Sequence, residues 1–222
     1  MKIHTLLFAP VIAVSFAIAA AGVARADPTT GDVSVRTRVP ASQIGVSLGL
    51  GGSATGFTSS EASDVTSVGG GYELRSTIGT RLPVAAEIAY VGWRRDIALP
   101  GVTGTSAGET PHMFSNGIEG AARIQHPFSS GSWLIEPFAF GGLGWSHIGV
   151  YATLPASSPM STSDDVLVVP FGAGVGAGWN GLMFEARFTY RATFSEDLLK
   201  KADGTTASLN NWSVGGLVGY EF

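Results

Sequence analysis

Few residues in this chain sit at spacings that chemistry requires. His112, Ser115 and Asn116 come closest to a base beside a nucleophile. His112 lies three positions before Ser115, however, and on a strand that puts the two side chains on opposite faces. A β-bulge between them would restore a shared face. His147 follows Ser146 near a segment end with no acid partner visible in the sequence, and His126 precedes Pro127 in a turn. The runs Gly141-Gly142-Leu143-Gly144 and Gly172 to Gly178 lack the Lys-Ser/Thr and the following helix that a phosphate loop needs. Asp164-Asp165 could hold a divalent cation bridging lipid phosphates, although a solvated acidic loop explains them as well. No three residues form a metal-ligand set. The expectation is a protein with no catalytic residues, no cofactor site and no metal site.

Composition narrows the class. The chain has 222 residues, no cysteine, 31 glycines, 45% hydrophobic residues and 14% charged residues. Globular domains carry about 25% charged residues and about 7% glycine, so this chain is poor in charge and rich in glycine. Its hydrophobicity excludes disorder, and the missing cysteines exclude disulfide scaffolds and thiolate metal sites. With three lysines (Lys2, Lys200 and Lys201) and a net charge of −4, there is no basic footprint for nucleic acid.

Lys2 and His4, the apolar run Leu6 to Gly22 and the small residues Ala24-Arg25-Ala26 form a secretory signal pattern with cleavage after Ala26. Losing residues 1–26 removes Lys2 and Arg25 and leaves a net charge of −6. Residues 27–41 read as a short periplasmic lead-in, and 42–222 as one domain.

That domain has a period of two. In 182–195, Leu182, Phe184, Ala186, Phe188, Tyr190, Ala192 and Phe194 share one face, whereas Glu185, Arg187, Thr189, Arg191 and Thr193 share the other. A strand separates these sets and a helix does not. The same test yields eight segments: 42–52, 67–79, 83–95, 113–125, 132–147, 165–179, 182–195 and 210–222. Short links around Thr80-Arg81-Leu82, His126 to Gly131 and Asn180-Gly181 alternate with long polar ones at 53–66, 96–112, 148–164 and 196–209. An all-β, eight-stranded, antiparallel up-and-down transmembrane barrel has this alternation, with short periplasmic turns and four longer extracellular loops.

The aromatic face is too bulky for the inside of eight strands, so it is assigned to lipid. Inside, Glu73, Glu87, Glu119, Glu136, Glu185 and Glu221 then meet Arg75, Arg123, Arg187 and Arg191 in an ion-pair network, with Glu136, Glu119 or Glu87 as partner for Arg187. Trp133 and Trp179 fall at periplasmic segment ends, and Trp93, Trp145 and Trp212 at outer ends, as interfacial girdles would. Arg94 and Arg95 are counted with the loop charges, beside Glu61, Asp64, Asp96, Glu109, Asp164, Asp165, Glu196, Asp197 and Asp203.

At Pro137-Phe138-Ala139-Phe140-Gly141-Gly142-Leu143-Gly144-Trp145, Val169 to Gly176 with Phe184 to Phe188, and the terminal Tyr220-Glu221-Phe222, the chain resembles the small outer-membrane barrel families. These are the OmpA-type transmembrane domain and the OmpX-like and opacity-type proteins. The resemblance implies residence in a Gram-negative outer membrane, contact with its lipid and lipopolysaccharide, and delivery to the barrel assembly machinery through Phe222. It fits a monomer with a structural or loop-mediated surface role. The alternatives are a lipid A deacylase, whose His-x-Ser-Asn motif His112-Met113-Phe114-Ser115-Asn116 approaches with one residue too many, a narrow gated pore, and a soluble ligand-binding barrel.

Overall fold

The computed structural model describes residues 44–99, 101–130, 133–155, 160–195, 197–199 and 205–222. The signal segment 1–26 and the lead-in 27–41 lie outside them, as do Glu196, Lys200, Lys201 and Asp203. Nine strands occur among the described residues: β1 (Val46–Phe57), β2 (Gly69–Ile78), β3 (Val84–Asp96), β4 (His112–Gln125), β5 (Phe128–Ser130), β6 (Trp133–Tyr151), β7 (Ser163–Trp179), β8 (Leu182–Phe194) and β9 (Asn211–Glu221). All but β5 join antiparallel to both neighbours. Pairing of β1 with β9 and of β4 with β6 closes an eight-stranded barrel. A closed ladder leaves no sheet edge, which is what hydrocarbon demands of a spanning sheet.

The register fixes the shape. A line of cross-strand partners runs from Leu50 through Leu74, Tyr90, Ile118, Trp145, Leu167 and Phe194. Carried on through the β8–β9 and β9–β1 offsets, it returns to β1 ten positions beyond its start. With eight strands, that stagger gives a tilt of about 40° and a radius of about 8 Å, a lumen filled by side chains.

The faces follow the alternation. Leu50, Val84, Ile88, Ile124, Leu143, Phe171, Phe188, Val214 and Val218 point outward and are 41–66% exposed, while Glu87, Arg123, Glu136, Glu185 and Arg187 point inward and are buried. An apolar exterior around a charged interior is the inverse of a soluble ligand-binding barrel. Trp133 and Trp145 lie twelve positions apart on β6, about 30 Å of axial rise at ~3.3 Å per residue and ~40° tilt, enough for an apolar band of about 25 Å between girdles. Trp133 stacks on Trp179 at the periplasmic girdle, with ring centroids 6.0 Å apart.

Three expectations change. β1 runs to Phe57 rather than stopping at 52, because Ser53 to Phe57 complete the ladder with β9 although the small side chains of Ser53 to Gly56 show no alternation. The link from His126 to Gly131 contains β5, whose residues pair with the start of β6. Trp93 does not belong to the outer girdle. It shares parity with Glu87 and points into the lumen, only 8% exposed.

The periplasmic turns are tight. Asn180 (φ 50°) and Gly181 (φ 85°) form a two-residue hairpin with both central residues left-handed, the form whose twist matches the flanking strands.

Candidate functional site

Glycines on the β7 inner face leave room for large groups from β6. A Cβ on Gly174 would fall 2.4 Å from Phe138 Cζ, and one on Gly172 3.0 Å from Phe140 Cζ. Phe138 and Phe140 therefore fit inside, against the expectation of an interior made of small residues and charges. Their rings carry guanidinium groups, with Arg123 3.6 Å from the Phe138 centroid and Arg187 4.1 Å from that of Phe140.

Around these rings lies a buried ion-pair network in the periplasmic half. Arg123 donates through Nη1 to Glu87 Oε1 (3.1 Å) and Glu185 Oε2 (2.7 Å), and through Nη2 to Glu136. Arg187 reaches Glu185 at 2.8 Å and Glu87 at 2.9 Å. Of its three candidate partners, Glu87 is the one that pairs. Arg75 joins Glu73 and Glu185, each at 2.6 Å. Four carboxylates thus surround three guanidinium groups. One level higher, Arg191 meets Glu119 at 2.6 Å and Ser213 at 2.8 Å. Below the network, Arg81 reaches Glu221 at 2.7 Å, and the Gln125 amide donates to the carbonyls of Gly79, Thr80 and Leu82. Every lumen charge expected from the sequence is in place.

Arg95 is a lumen residue that the sequence reading placed among the loop charges. It is 1% exposed, shares the Glu87 face of β3, and lies 3.9 Å from the Phe57 ring centroid and 4.2 Å from that of Trp93. Thr55 accepts its Nη2 bond. A cavity of about 40 Å³ is lined by its neighbours Thr55 and Trp93 and by Glu119, Arg191, Thr193 and Asn211 among others, room for about three or four waters at ~10–15 Å³ each.

Above Arg95 the loops pack into an apolar plug. A short helix, α1 (Ser60–Ser63), buries Ala62, and Leu198, Leu199, Ala207 and Leu209 join Met113, Ile148, Met160 and Val166 beneath it. Backbone bonds hold the loops together: Ser161 N to Leu198 O (2.7 Å), Ala207 N to Leu199 O (2.7 Å) and Ala98 N to Val65 O (2.9 Å). The loops are therefore more than solvated acidic tethers.

The residues flagged for chemistry separate. Ser115 faces the lumen and bonds Ser146, while His112 faces outward and stacks on Tyr151 at 5.4 Å. No bulge reunites them. His147 does have an acid partner, Asp165, directly across the β6–β7 ladder, with Nδ1 2.9 Å from Oδ1. No hydroxyl contacts His147 among the described residues. Asp164 turns to the other face, where its carboxylate accepts from the backbone N–H of Asp165 (2.9 Å) and Asp197 (2.6 Å), so the two carboxylates do not converge. No group of three metal-ligating side chains occurs among the described residues. In the loop before β4, the Thr105 hydroxyl, then the Ser106 backbone, His112 and Arg94 hold the Glu109 carboxyl below the usual carboxylate range.

No protein-family model matches the chain, and no curated protein does. Among solved structures it is similar to Neisserial surface protein A (15% identity, TM-score 0.49), covering 81% of this chain and 97% of that one. It is similar also to Ail of Yersinia pestis, solved with the heparin analogue sucrose octasulfate (14% identity, TM-score 0.49, 81% and 99% covered). The N-terminal barrel domain of Pseudomonas aeruginosa OprF gives 12% identity and a TM-score of 0.44, with 81% and 100% covered. The barrel itself is established by its own closed ladder.

Proposed function

We propose that the protein is an exported, monomeric, non-catalytic outer-membrane barrel that holds a folded extracellular lobe at the cell surface for contact with other molecules. The observation that carries this reading is the division of the lumen. Ion pairs fill its lower half and an apolar plug covers its mouth, so the barrel serves as an anchor and the ordered loops face outward. Loops already packed on one another lose less conformational entropy on meeting a partner than flexible ones do. Tyr220 and Phe222, both outward on β9 or just beyond it, suit the C-terminal signal read by the assembly machinery.

Fractionation and planar-bilayer recording test this reading. The protein should sediment with outer membranes, migrate faster on gels unheated than boiled, and give no sustained conductance. A persistent conductance would favour the narrow pore. The outward His147–Asp165 couple supports a second reading, a lipid-modifying enzyme working at headgroup depth. Mass spectrometry of lipid A from cells with and without the protein decides it. A changed acyl pattern that His147→Ala abolishes would replace the non-catalytic reading.

A further inference from the structure

The barrel rim is uneven. By register, Trp145, Leu167 and Phe194 lie on one line, and β8 ends at that line. β6 continues six positions further, to Tyr151, an additional rise of about 15 Å at the same tilt. β4 and β7 flank it to His112 and Ser163. Because the partner line climbs about 3 Å per strand toward the long loops at this tilt, β8 ends about 6 Å above Trp145 and β6 about 15 Å above it, so the β4–β6–β7 side of the wall stands higher than the β8 side. The inner face of this raised sheet supports the plug through Met113, Ile148 and Val166. Its outer face continues the lipid-facing wall into the layer that headgroups occupy.

That outer face carries a cluster of rings. His112, itself buried, stacks against Tyr151 with planes 12° apart, Phe114 lies 5.1 Å from Tyr151, and Phe114 meets His147 edge-on at 6.5 Å, so Tyr151, Phe114 and His147 are the rings open to a ligand. Tyr151 is half exposed. Polar groups border the rings. Asp165 accepts from His147, and Asn116, opposite His147, uses its Oδ1 for the hydroxyls of Tyr72 and Tyr90, so its Nδ2 remains to donate outward.

We infer that this raised β4–β6–β7 face binds the sugar headgroup of a glycolipid in the outer leaflet of the same membrane. Aromatic faces meet the C–H faces of a sugar ring, and the bordering carboxylate and amide meet its hydroxyls. A bare phosphate fits less well. Among the described residues the rings outnumber the cations, Arg94 opposite Phe114 being the one permanently positive group on this face, and Asp165 and Glu109 would repel an anion. The membrane source follows from continuity, since the patch begins two positions above Trp145 on β6 with no break in the wall. The inference rests on the barrel's place in the membrane and is independent of what the loops contact.

Native mass spectrometry of the detergent-solubilised protein tests it, with rough-type lipopolysaccharide, phosphatidylglycerol and the water-soluble oligosaccharide released from that lipopolysaccharide as probes. Wild type should retain the lipopolysaccharide at least about tenfold better than phosphatidylglycerol, and Phe114→Ser/Tyr151→Ser should lose about tenfold in retention while Phe194→Ser on the low wall changes nothing. Unheated gel mobility verifies folding; if the double variant is misfolded, Tyr151→Ser alone supplies the same readout at a half-exposed rim position. Equal retention of both lipids by wild type, or unchanged retention by the folded variant, overturns the inference. Equally tight binding of the free oligosaccharide also overturns it, because the face would then serve a soluble saccharide.

Discussion

The two halves of the lumen are filled by opposite means. In the periplasmic half, four carboxylates and three guanidinium groups interlock over Phe138 and Phe140, with charge supplied from β2, β3, β4, β6 and β8. In the extracellular half, above the Arg191–Glu119 pair, the Arg95 guanidinium sits between two aromatic rings beneath apolar residues brought by the loops. The lower half is part of the wall and cannot open without breaking the barrel. The upper half belongs to segments that can lift while the ladder stays intact. A difference of this kind predicts global loss of stability from damage below and local opening from damage above.

The sharpest way to break the contrast is Arg123→Leu. Glu87, Glu136 and Glu185 all lose a donor, and the barrel should lose roughly 3–5 kcal/mol, as broken buried pairs do. Urea titration in detergent, followed by unheated gel mobility, reads this as one cooperative shift. An unchanged midpoint would mean that the network contributes nothing. The outer wall is common to both halves and serves as the reference: Phe188→Arg should cost about 2–4 kcal/mol near the midplane. Single cysteines sharpen the assignment of faces. A thiol at 188 should react with a lipid-soluble reagent and one at 187 should not, and the reverse pattern would mean that the faces are swapped.

Damage above should register differently. Leu198→Ala removes a fully buried plug side chain, and loss of ~2–3 kcal/mol there should speed protease nicking of the loops with little change in the urea midpoint. A global shift equal to that of Arg123→Leu would erase the distinction between the halves. The smallest effect is expected from Thr55→Val, which removes the one acceptor of Arg95 among the described residues for about 1–2 kcal/mol. Hydrogen exchange of the β1 and β3 upper ends is the measurement suited to it.

Much of this was legible in the sequence because alternation at period two carries both the strand and its faces. The ion pairs of the lower half followed from parity, as did the exterior of β8. Trp93 and Arg95 were misread although the signal was present. Both have the parity of Glu87, and their position near a segment end hides it among residues of a girdle and a loop. Phe138 and Phe140 likewise share the parity of Glu136. The His147–Asp165 couple was not legible, because a long loop joins β6 to β7 and leaves their register open. Nor was the plug, whose Ala62, Met160, Leu198 and Leu199 come from separate loops with no common period.

The seam between β1 and β9 sets the order of events in the life of the chain. Eleven consecutive partners, from Ser47↔Glu221 to Phe57↔Asn211, join residues more than 150 positions apart. No local segment can satisfy the backbone groups of β1 on that side, so they wait for the last strand to be made and delivered. Until then the growing sheet has two open margins, each intolerable in hydrocarbon and ready to pair with a stranger. Insertion should therefore be a late, single event that waits for β9 to close the ladder.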